Sequence, residues 1–400
     1  MLRRASLSSV LGFLRTSTIV TISDVMEATG LARATAISVC EEIMERGWIT
    51  ELENQRVFGG YLKGRPARRF VLNKDAGYVV GLDVGIAKVT AVVSNLRGDI
   101  IGRASRQFRG VKITADNSIP GADISPGERI SVIDRTACDA LGLAGVTPGA
   151  VLAVSAGIAA PVGRNGDVLV TQPFWALLEV GLKSALKDFH GWTVLLANDG
   201  NLAALGERWR GSAVGVDDVV VILASERFGS GVIDDGRLLH GCGGAAGELA
   251  FLRHVEGVGD TFGIALMART WAAEALAGSD DTLLRENSVD AIEAEHVFAA
   301  ARRGDTVGLQ ILERLADRMA RVIGAVATIH NPELVVIGGA VAKSAGALLG
   351  PIAERLPEFT ATPPRLAVSP LGDSVVTMGA VRSALDFVER ETLDIELYNS

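Results

Sequence analysis

Two short stretches place acidic side chains where a phosphorylated or hydroxylated ligand could bind. "VVGLDVG" ends a strand-like run at Asp83 and opens a turn at Gly85. There a carboxylate can hold Mg²⁺ while backbone N–H groups approach phosphate. "VLLANDG" delivers Asn198 and Asp199 at the end of another apolar run, where a carboxylate can accept a proton from a substrate hydroxyl. Plainer explanations are a hairpin at Asp83 and a helix N-cap at Asp199.

Two glycine-rich stretches follow other apolar runs. "VVVILASERFGSG" places Gly229 and Gly231 after a β-branched run, and "NPELVVIGGAV" places Gly338 and Gly339 in the same way. Glycines after a strand let backbone amides approach a phosphate closely. In the first stretch Glu226 and its neighbours fill positions where such a loop needs bare backbone. The sequence leaves three options open: a working phosphate loop, a damaged one or an ordinary turn.

The elements that must position these motifs alternate between strands and helices. This alternation is typical of two α/β lobes around a cleft. Four hundred residues also exceed one ordinary core and suggest two to three domains. We predict a first lobe over residues 75–190 and a second over residues 191–400, with the C-terminal helix returning to the first lobe.

The composition is that of a globular chain, with 48% hydrophobic and 22% charged residues. No apolar stretch approaches the ~20 residues that span a bilayer, and the N-terminal apolar run is interrupted by Arg15. Cys40, Cys138 and Cys242 are far apart, which argues against a disulfide framework and a Cys-rich zinc site. We therefore expect a cytoplasmic protein without a membrane partner.

The net charge of −8 is unevenly distributed along the chain. Residues 1–74 hold eleven basic and seven acidic side chains, whereas the rest of the chain holds 28 basic and 40 acidic ones. A basic segment on an acidic body suggests a partner that is a polyanion. Chance variation in surface charge would produce the same numbers.

Residues 1–74 show the element order of a winged helix–turn–helix domain. A helical apolar stripe over residues 5–15 precedes a short helix stopped near Gly30 and a longer helix stopped at Gly47. Two strands with a basic turn, a wing, follow. The alternative is a three-helix bundle used for protein contacts.

In a helix–turn–helix domain, the N-terminal part of the second helix enters the major groove of DNA. Its polar side chains can reach base edges and phosphates, and basic side chains of the wing can add phosphate contacts. The predicted DNA-binding residues are Arg33, Thr35, Ala36, Ser38, Arg65, Arg68 and Arg69.

The run "GLARATAISVCEEIMERGWI…GRPARRFVLNKDAGYVVGLDVG" resembles the N-terminal half of ROK-family transcriptional regulators (repressor, open reading frame, kinase). The resemblance covers the whole chain. It implies a winged helix–turn–helix head, α+β in class, before a two-lobed α/β body with the actin-like, RNase H-like fold of sugar kinases. Ala32 stands where the family usually has Ser, and Ala caps a helix poorly.

The resemblance also implies a sugar site. Asn198-Asp199 matches a pair whose Asp is the catalytic base of ROK kinases, and Glu248 in "GGAAGELAF" matches a sugar contact. The His that normally follows this Glu is Phe251, which either faces a less polar effector or fills the core. The family's zinc cysteines have no counterpart here, and a lone His254 is not a zinc site. We expect no metal and no cofactor.

The phosphate side of the site departs from the family. Aligning its Gly-Thr-Gly-Ile-Gly-x-Gly loop on the last two glycines puts Glu226 in place of Thr and Arg227 in place of Gly. A carboxylate repels a triphosphate, and bulky side chains block close backbone approach. The predicted degenerate phosphate-binding residues are Asp83, Gly85, Gly229, Gly231, Gly338 and Gly339.

These departures predict a regulator and not an enzyme. We expect a DNA-binding repressor of carbohydrate-related genes, active as a homodimer or higher homo-oligomer, that senses a small sugar-like effector. Asp199 would then be a vestigial base. The alternatives are an active sugar kinase and a regulator that has lost its small-molecule response.

Overall fold

The computed structural model describes residues 2–52, 67–111, 114, 118–121, 124–278, 281–287 and 291–397. We call the elements before residue 73 the head and the remainder the body. The helices of the head are α1 (Leu2–Thr16), α2 (Ile22–Thr29) and α3 (Arg33–Glu45). Its strands are β1 (Val20–Thr21), β2 (Ile49–Leu52) and β3 (Arg69–Leu72), an antiparallel sheet in the order β1-β3-β2.

The turn between α2 and α3 follows from its residues. Gly30 ends α2 with a φ of 68°, a left-handed conformation that favours glycine. Ala32 begins α3 without a side-chain cap, as its sequence predicts, so the first turn of α3 lacks about 1 kcal/mol that a Ser would contribute.

The first body sheet has five strands in the order β6-β5-β4-β7-β8. They are β4 (Tyr78–Val84), β5 (Lys88–Asn95), β6 (Ile100–Gln107), β7 (Val151–Ile158) and β8 (Val194–Asn198). The first three are antiparallel, and β7 and β8 are parallel to β4. The helices between these strands are α4 (Pro126–Ala144), α5 (Pro173–Ala176) and α6 (Leu182–His190).

The second body sheet repeats this arrangement in the order β11-β10-β9-β12-β13. Its strands are β9 (Val219–Leu223), β10 (Gly229–Asp234), β11 (Arg237–Leu238), β12 (Leu334–Gly338) and β13 (Arg365–Val368). Three antiparallel strands again precede two parallel ones. Between them lie α8 (Ile264–Ala277), α9 (Ala294–Arg302), α10 (Thr306–His330), α11 (Ala342–Ala345) and α12 (Leu349–Arg355).

Two helices are exchanged between the sheets. Helix α7 (Asp199–Arg210) follows the last strand of the first sheet and packs on the second, whereas α13 (Val375–Arg390) follows the second sheet and packs on β4 and β7. Because β8 pairs with β7, the first sheet extends to Asn198. The lobe boundary predicted at residue 190 therefore falls one strand too early, since the pairing partner of β8 cannot be read from its own residues.

The head and the body share one apolar core. Leu11 and Leu14 of α1 pack in the same cluster as Leu385 and Val388 of α13. Buried side chains across this contact mean that the head is held against α13, which we call the head–body contact. Among the described helices, none is long and apolar enough to cross a membrane.

Candidate functional site

The start of α7 presents the predicted Asn-Asp pair. The Asn198 side chain caps the helix, its Oδ1 accepting from the Asn201 amide at 3.0 Å while its Nδ2 donates to the Ala160 carbonyl at 3.3 Å. Asp199 is the first helical residue, and its Oδ1 accepts from the Gly200 amide at 2.8 Å. The N-cap explanation therefore applies to Asn198, which organises the turn that presents the Asp199 carboxyl group.

Three carboxyl groups interact at this point of the structure. Burial and the charge of Asp199 raise the pKa of Asp83 to about 7, with Lys88 opposing the shift. Burial and the charge of Glu248 raise the pKa of Asp199 to about 7, although the Gly200 amide opposes this. Burial also raises the pKa of Glu248. The fold thus assembles residues from three distant stretches into one acidic site that can accept hydrogen bonds from hydroxyl groups.

This acidic site predicts a falling stability with rising pH. The pKa of Asp83 and Asp199 rises from 3.8 to about 7 on folding, so between these pH values the folded chain binds more protons than the unfolded chain. The free energy of unfolding contributed by these groups then decreases as pH rises from about 4 to about 7. Asp199→Asn should flatten this slope and stabilise the chain at pH 8, measured by denaturant unfolding from pH 4 to 8. The control is the exposed Asp188→Asn, and an unchanged slope in Asp199→Asn would contradict the prediction.

The stretch "ASERF", residues 224–228, is a hairpin loop between β9 and β10; we call it the 224–228 loop. Gly229 and Gly231 lie in β10, paired with Leu223 and Val221, and are not part of the loop. A Cβ on Gly231 would lie 2.7 Å from the carbonyl carbon of Gly200. Gly231 therefore serves the close packing of β10 on α7, a role that the predicted degenerate phosphate-binding site does not include.

The 224–228 loop is bound at the N-terminus of α8. The carbonyls of residues 224–226 accept from the amides of Gly263, Ile264 and Ala265 at 2.6 to 2.9 Å. The Glu226 carboxylate is paired with Arg269 through two contacts of 2.7 and 2.5 Å. Arg269 therefore neutralises the charge of Glu226, a partner that the sequence position of Glu226 does not indicate. The amides at the start of α8 therefore hold the loop in place and are not available to another acceptor.

The second glycine segment packs against the same loop. Gly339 has a φ of 93°, and a Cβ there would lie 2.7 Å from Ser225 Oγ. The Ala224 amide also donates to the Gly338 carbonyl at 3.1 Å. Ser225 therefore fills the space beside Gly339. Asp83 and Gly85 remain at the end of β4, where the Gly85 amide donates to the Lys88 carbonyl at 3.0 Å.

The aromatic replacements belong to the core of the second lobe. Phe228 is buried, and its amide donates to the Thr261 carbonyl at 2.8 Å. Phe251 is half-buried and packs against the same apolar cluster. Of the two options for Phe251, its packing favours core filling.

The first lobe contains another polar cluster, which the spacing of its residues along the sequence does not reveal. His190 Nε2 lies 2.6 Å from Asp134 Oδ1, and the Cys138 thiol lies 3.9 Å from the Asp134 carboxylate and 4.0 Å from His190 Nε2. These donor types can hold a metal. The His–Asp hydrogen bond already pairs the two groups, however, and burial raises the pKa of the Cys138 thiol.

The head exposes part of its predicted DNA-binding set. Arg33 and Ser38 are exposed and Thr35 is half-buried, with Ser38 Oγ accepting from Arg3 at 3.1 Å. Ala36 is fully buried, so the prediction that it contacts DNA is wrong. Its methyl group lies on the inward face of α3, which a linear reading of the helix start overlooks.

Two of the remaining predicted DNA-binding residues lie at β3: Arg68 immediately precedes this strand and Arg69 begins it. Arg68 is bound to Glu41 at 2.9 Å and to Glu51 at 2.8 Å, and Arg69 is half-buried in β3. Arg65 lies outside the described residues.

Two copies of one mixed five-stranded sheet, with exchanged helices and an acidic site at the start of α7, define an actin-like, sugar-kinase-type fold. A family model described as "ROK family" matches residues 143–386. The chain belongs to the ROK family.

Relatives include both regulators and kinases. The chain is 24% identical over 334 residues to a xylose repressor of Caldicellulosiruptor bescii, covering 80% of this chain and 79% of the repressor. It is 32% identical over 237 residues to a glucokinase of Thermotoga maritima, covering 54% of this chain and 74% of the kinase.

Solved structures give the same division. A ROK family transcriptional regulator, described as a homolog of the E. coli MLC protein, superposes with a TM-score of 0.75 and 20% identity over 98% of each chain. A Streptomyces griseus ROK family glucokinase, in complex with glucose and AMPPNP, superposes with a TM-score of 0.64 and 26% identity, covering 77% of this chain and 99% of the kinase. The first comparison shows that the fold likeness extends through the head.

Proposed function

We propose that the chain is a DNA-binding transcriptional repressor whose kinase-like body senses a small sugar-like effector. The observation that carries this proposal concerns the 224–228 loop, whose carbonyls accept hydrogen bonds from the amides at the start of α8. A loop held in this way, with bulky side chains at residues 226–228, differs from the glycine loop that approaches a phosphate with bare backbone, while Asp199 and Glu248 still form an acidic site. The likeness to xylose repressors supports a sugar-responsive regulator, and we infer no enzymatic activity.

We infer that the head is a winged helix–turn–helix domain that reads double-stranded DNA. The start of α3 exposes Arg33 and Ser38, and β2 and β3 form the base of the wing. A homodimer would present two such heads to half-sites about one helical turn apart. DNA binding to the chain's own upstream region, tested by gel shift, should be specific and salt-sensitive. Absence of specific binding to this DNA would exclude the proposed regulatory function.

The structure suggests how an effector would reach the head. Asp199 begins α7, α7 packs along α13, and α13 holds α1 through the head–body contact. A ligand that binds one arrangement of the two lobes better than another shifts that equilibrium by its differential affinity. We therefore propose that effector binding changes the spacing of two heads by moving α7 against α13.

Replacing Arg33 tests the proposed DNA contact. Arg33→Ala should weaken operator binding about 5- to 150-fold, because a guanidinium that contacts a base edge contributes roughly 1–3 kcal/mol. Arg68→Ala should have a much smaller effect, since Arg68 is already paired with Glu41 and Glu51. Fluorescence anisotropy with labelled operator measures both. Equal losses in the two variants would contradict the assignment of α3 as the reading helix.

A sugar kinase is the second candidate, favoured by the retained Asp199 and by the glucokinase relatives. It predicts ATP-dependent phosphorylation of a sugar that Asp199→Ala abolishes, measured with a panel of hexoses and pentoses. Absence of turnover across the panel excludes it. A regulator without a small-molecule response is separated by thermal unfolding, because an effector at 100 times its Kd should add about 2.7 kcal/mol of stability.

A further inference from the structure

Arg227 in the 224–228 loop is a cationic side chain at the boundary of the two lobes. Its guanidinium carbon lies 4.7 Å from the ring centre of Phe174 and 5.8 Å from that of Phe262. Phe174 belongs to α5 of the first lobe, whereas Arg227 belongs to the second. The side chain therefore crosses between the lobes, and the two rings restrict the plane of its fork of N–H donors.

The Arg227 charge has no carboxylate partner among the described residues. Its Nε is buried and makes no hydrogen bond. Glu226 next to it is occupied by Arg269. Asp260, the acidic group that acts on Arg227 through its charge, instead accepts from the Phe262 amide at 2.7 Å and pairs with Arg318.

Arg227 is half-buried, and the partial loss of water around its charge has an energetic cost. Stacking on aromatic rings offsets a part of this cost, about 0.5–2 kcal/mol. Stacking does not supply an acceptor for the Nε–H group, which is buried and makes no hydrogen bond. A ligand that carries an anionic group would supply one.

The chain two residues after Arg227 lies close to the acidic site. Gly229, two residues further along the chain, would place a Cβ 3.7 Å from Asp199 Oδ1. A monosaccharide with one charged substituent would lie between the acidic site and the loop that carries Arg227. The hydroxyl groups of such a molecule would meet Asp199 and Glu248 at one end and its anionic group would meet Arg227 at the other.

We propose that Arg227 binds the anionic group, a phosphate or a carboxylate, of a charged sugar effector. The inference rests on the proposed function and deepens it by naming the effector class. A guanidinium binds either anion through two parallel N–H···O hydrogen bonds, which are charge-assisted and directional. The carboxyl groups of the acidic site accept hydrogen bonds from sugar hydroxyl groups and do not favour a second anion there.

The test uses the full chain and calorimetric titration with three probe classes. These are neutral hexoses and pentoses, their terminal phosphates, and the corresponding aldonates and uronates. We expect at least one anionic sugar to bind 10-fold or more tightly than its neutral parent, and the phosphate and carboxylate arms identify which anion is recognised. Equal binding of neutral and anionic forms, or no binding by any probe, overturns the inference.

Arg227→Gln should weaken binding of the anionic sugar about 100-fold and leave binding of the neutral parent unchanged. Without ligand, the Arg227→Gln chain should unfold at the same temperature as the natural chain or higher, because the half-buried charge of Arg227 has been removed. If Arg227 served only to stabilise the fold, its replacement would lower this unfolding temperature instead. The control is Arg237→Gln, an exposed position, which should behave like the natural chain in every assay.

Gel shifts with operator DNA on the same variants keep the two proposals apart. If Arg227→Gln binds operator normally but no longer responds to the anionic sugar, both proposals hold. If operator binding is specific and only neutral sugars release it, the effector class is wrong and the regulator stands. If the natural chain binds no operator, the proposed function fails whatever the sugar titrations show.

Discussion

Glu389→Ala is expected to destabilise the chain by about 3–5 kcal/mol, because it leaves Arg15 as a buried charge without its partner. Arg15 Nε lies 2.6 Å from Glu389 Oε1, and the two side chains are 6% and 12% exposed. The contact is an ion pair without the alignment of a hydrogen bond, and Arg15 Nη1 has no hydrogen-bond partner. Burial lowers the pKa of Arg15 and raises that of Glu389, as expected where water is excluded from two charges.

The measurement is denaturant unfolding of the single and double variants. Glu391→Ala is the matched control, since Glu391 pairs with Arg4 at 2.8 Å on the exposed side of the same contact. An exposed pair contributes about 0–1 kcal/mol. The double variant Arg15→Met with Glu389→Met should recover most of the loss, because a well-packed apolar pair often replaces a buried ion pair at no cost. A loss below 1 kcal/mol in Glu389→Ala would contradict the argument.

The same variants test the path from the acidic site to the head. Arg15 also lies over the ring of Trp209 in α7, 5.9 Å from its centre, so α1, α7 and α13 meet at this point. If the head–body contact transmits the effector signal, the double methionine variant should bind operator but respond less to effector. An unchanged response would place the path elsewhere.

Gly231→Ala is expected to destabilise the chain by about 1–3 kcal/mol or more, whereas Gly229→Ala should be nearly neutral. An alanine Cβ at residue 231 would lie 2.7 Å from the Gly200 carbonyl carbon and 2.9 Å from the Ala204 Cβ. Backbone at the start of α7 would have to move, and overpacking of this kind costs about 1–3 kcal/mol or more. At residue 229 the nearest atom, Asp199 Oδ1, would be 3.7 Å away.

Thermal unfolding of the two alanine variants, side by side, checks this difference. The comparison separates packing from ligand binding. If both glycines served only to bind phosphate, the two alanine variants would have similar stability without nucleotide. Both substitutions would then reduce only the stabilisation that nucleotide binding adds. A stable Gly231→Ala would show that β10 can move away from α7 without cost.

The sequence was sufficient for the broad architecture. Periodic apolar residues predict α1 and α3, and apolar runs that end in Asp83 and Asn198 predict β4 and β8. Such patterns depend on local residue types, which the chain states directly. The capping preference at Ala32 is equally local, and the structure confirms that α3 starts without a side-chain cap.

The errors concern residues whose role depends on distant neighbours. The position of Ala36 near the start of α3 predicts a contact with DNA, but the fold of the head buries this residue. The sequence of the loop suggests that Glu226 repels a triphosphate, but Arg269, 43 residues further along the chain, neutralises its charge. Neither partner can be recognised from spacing, because helix packing alone brings it into reach.

Sequence alone therefore determined the family, the two-lobed body, the basic head and the stretches that carry Asp83, Asp199 and Glu248. Only the tertiary structure decided that "ASERF" is bound to the start of α8, that Gly231 serves packing and that Arg227 has no carboxylate partner among the residues that the structure describes. The physical reason is that hydrogen bonds, ion pairs and close backbone contacts join atoms far apart in the chain. Local pattern specifies which groups a segment offers, and the packing of the segments decides which of those groups remain available to a ligand.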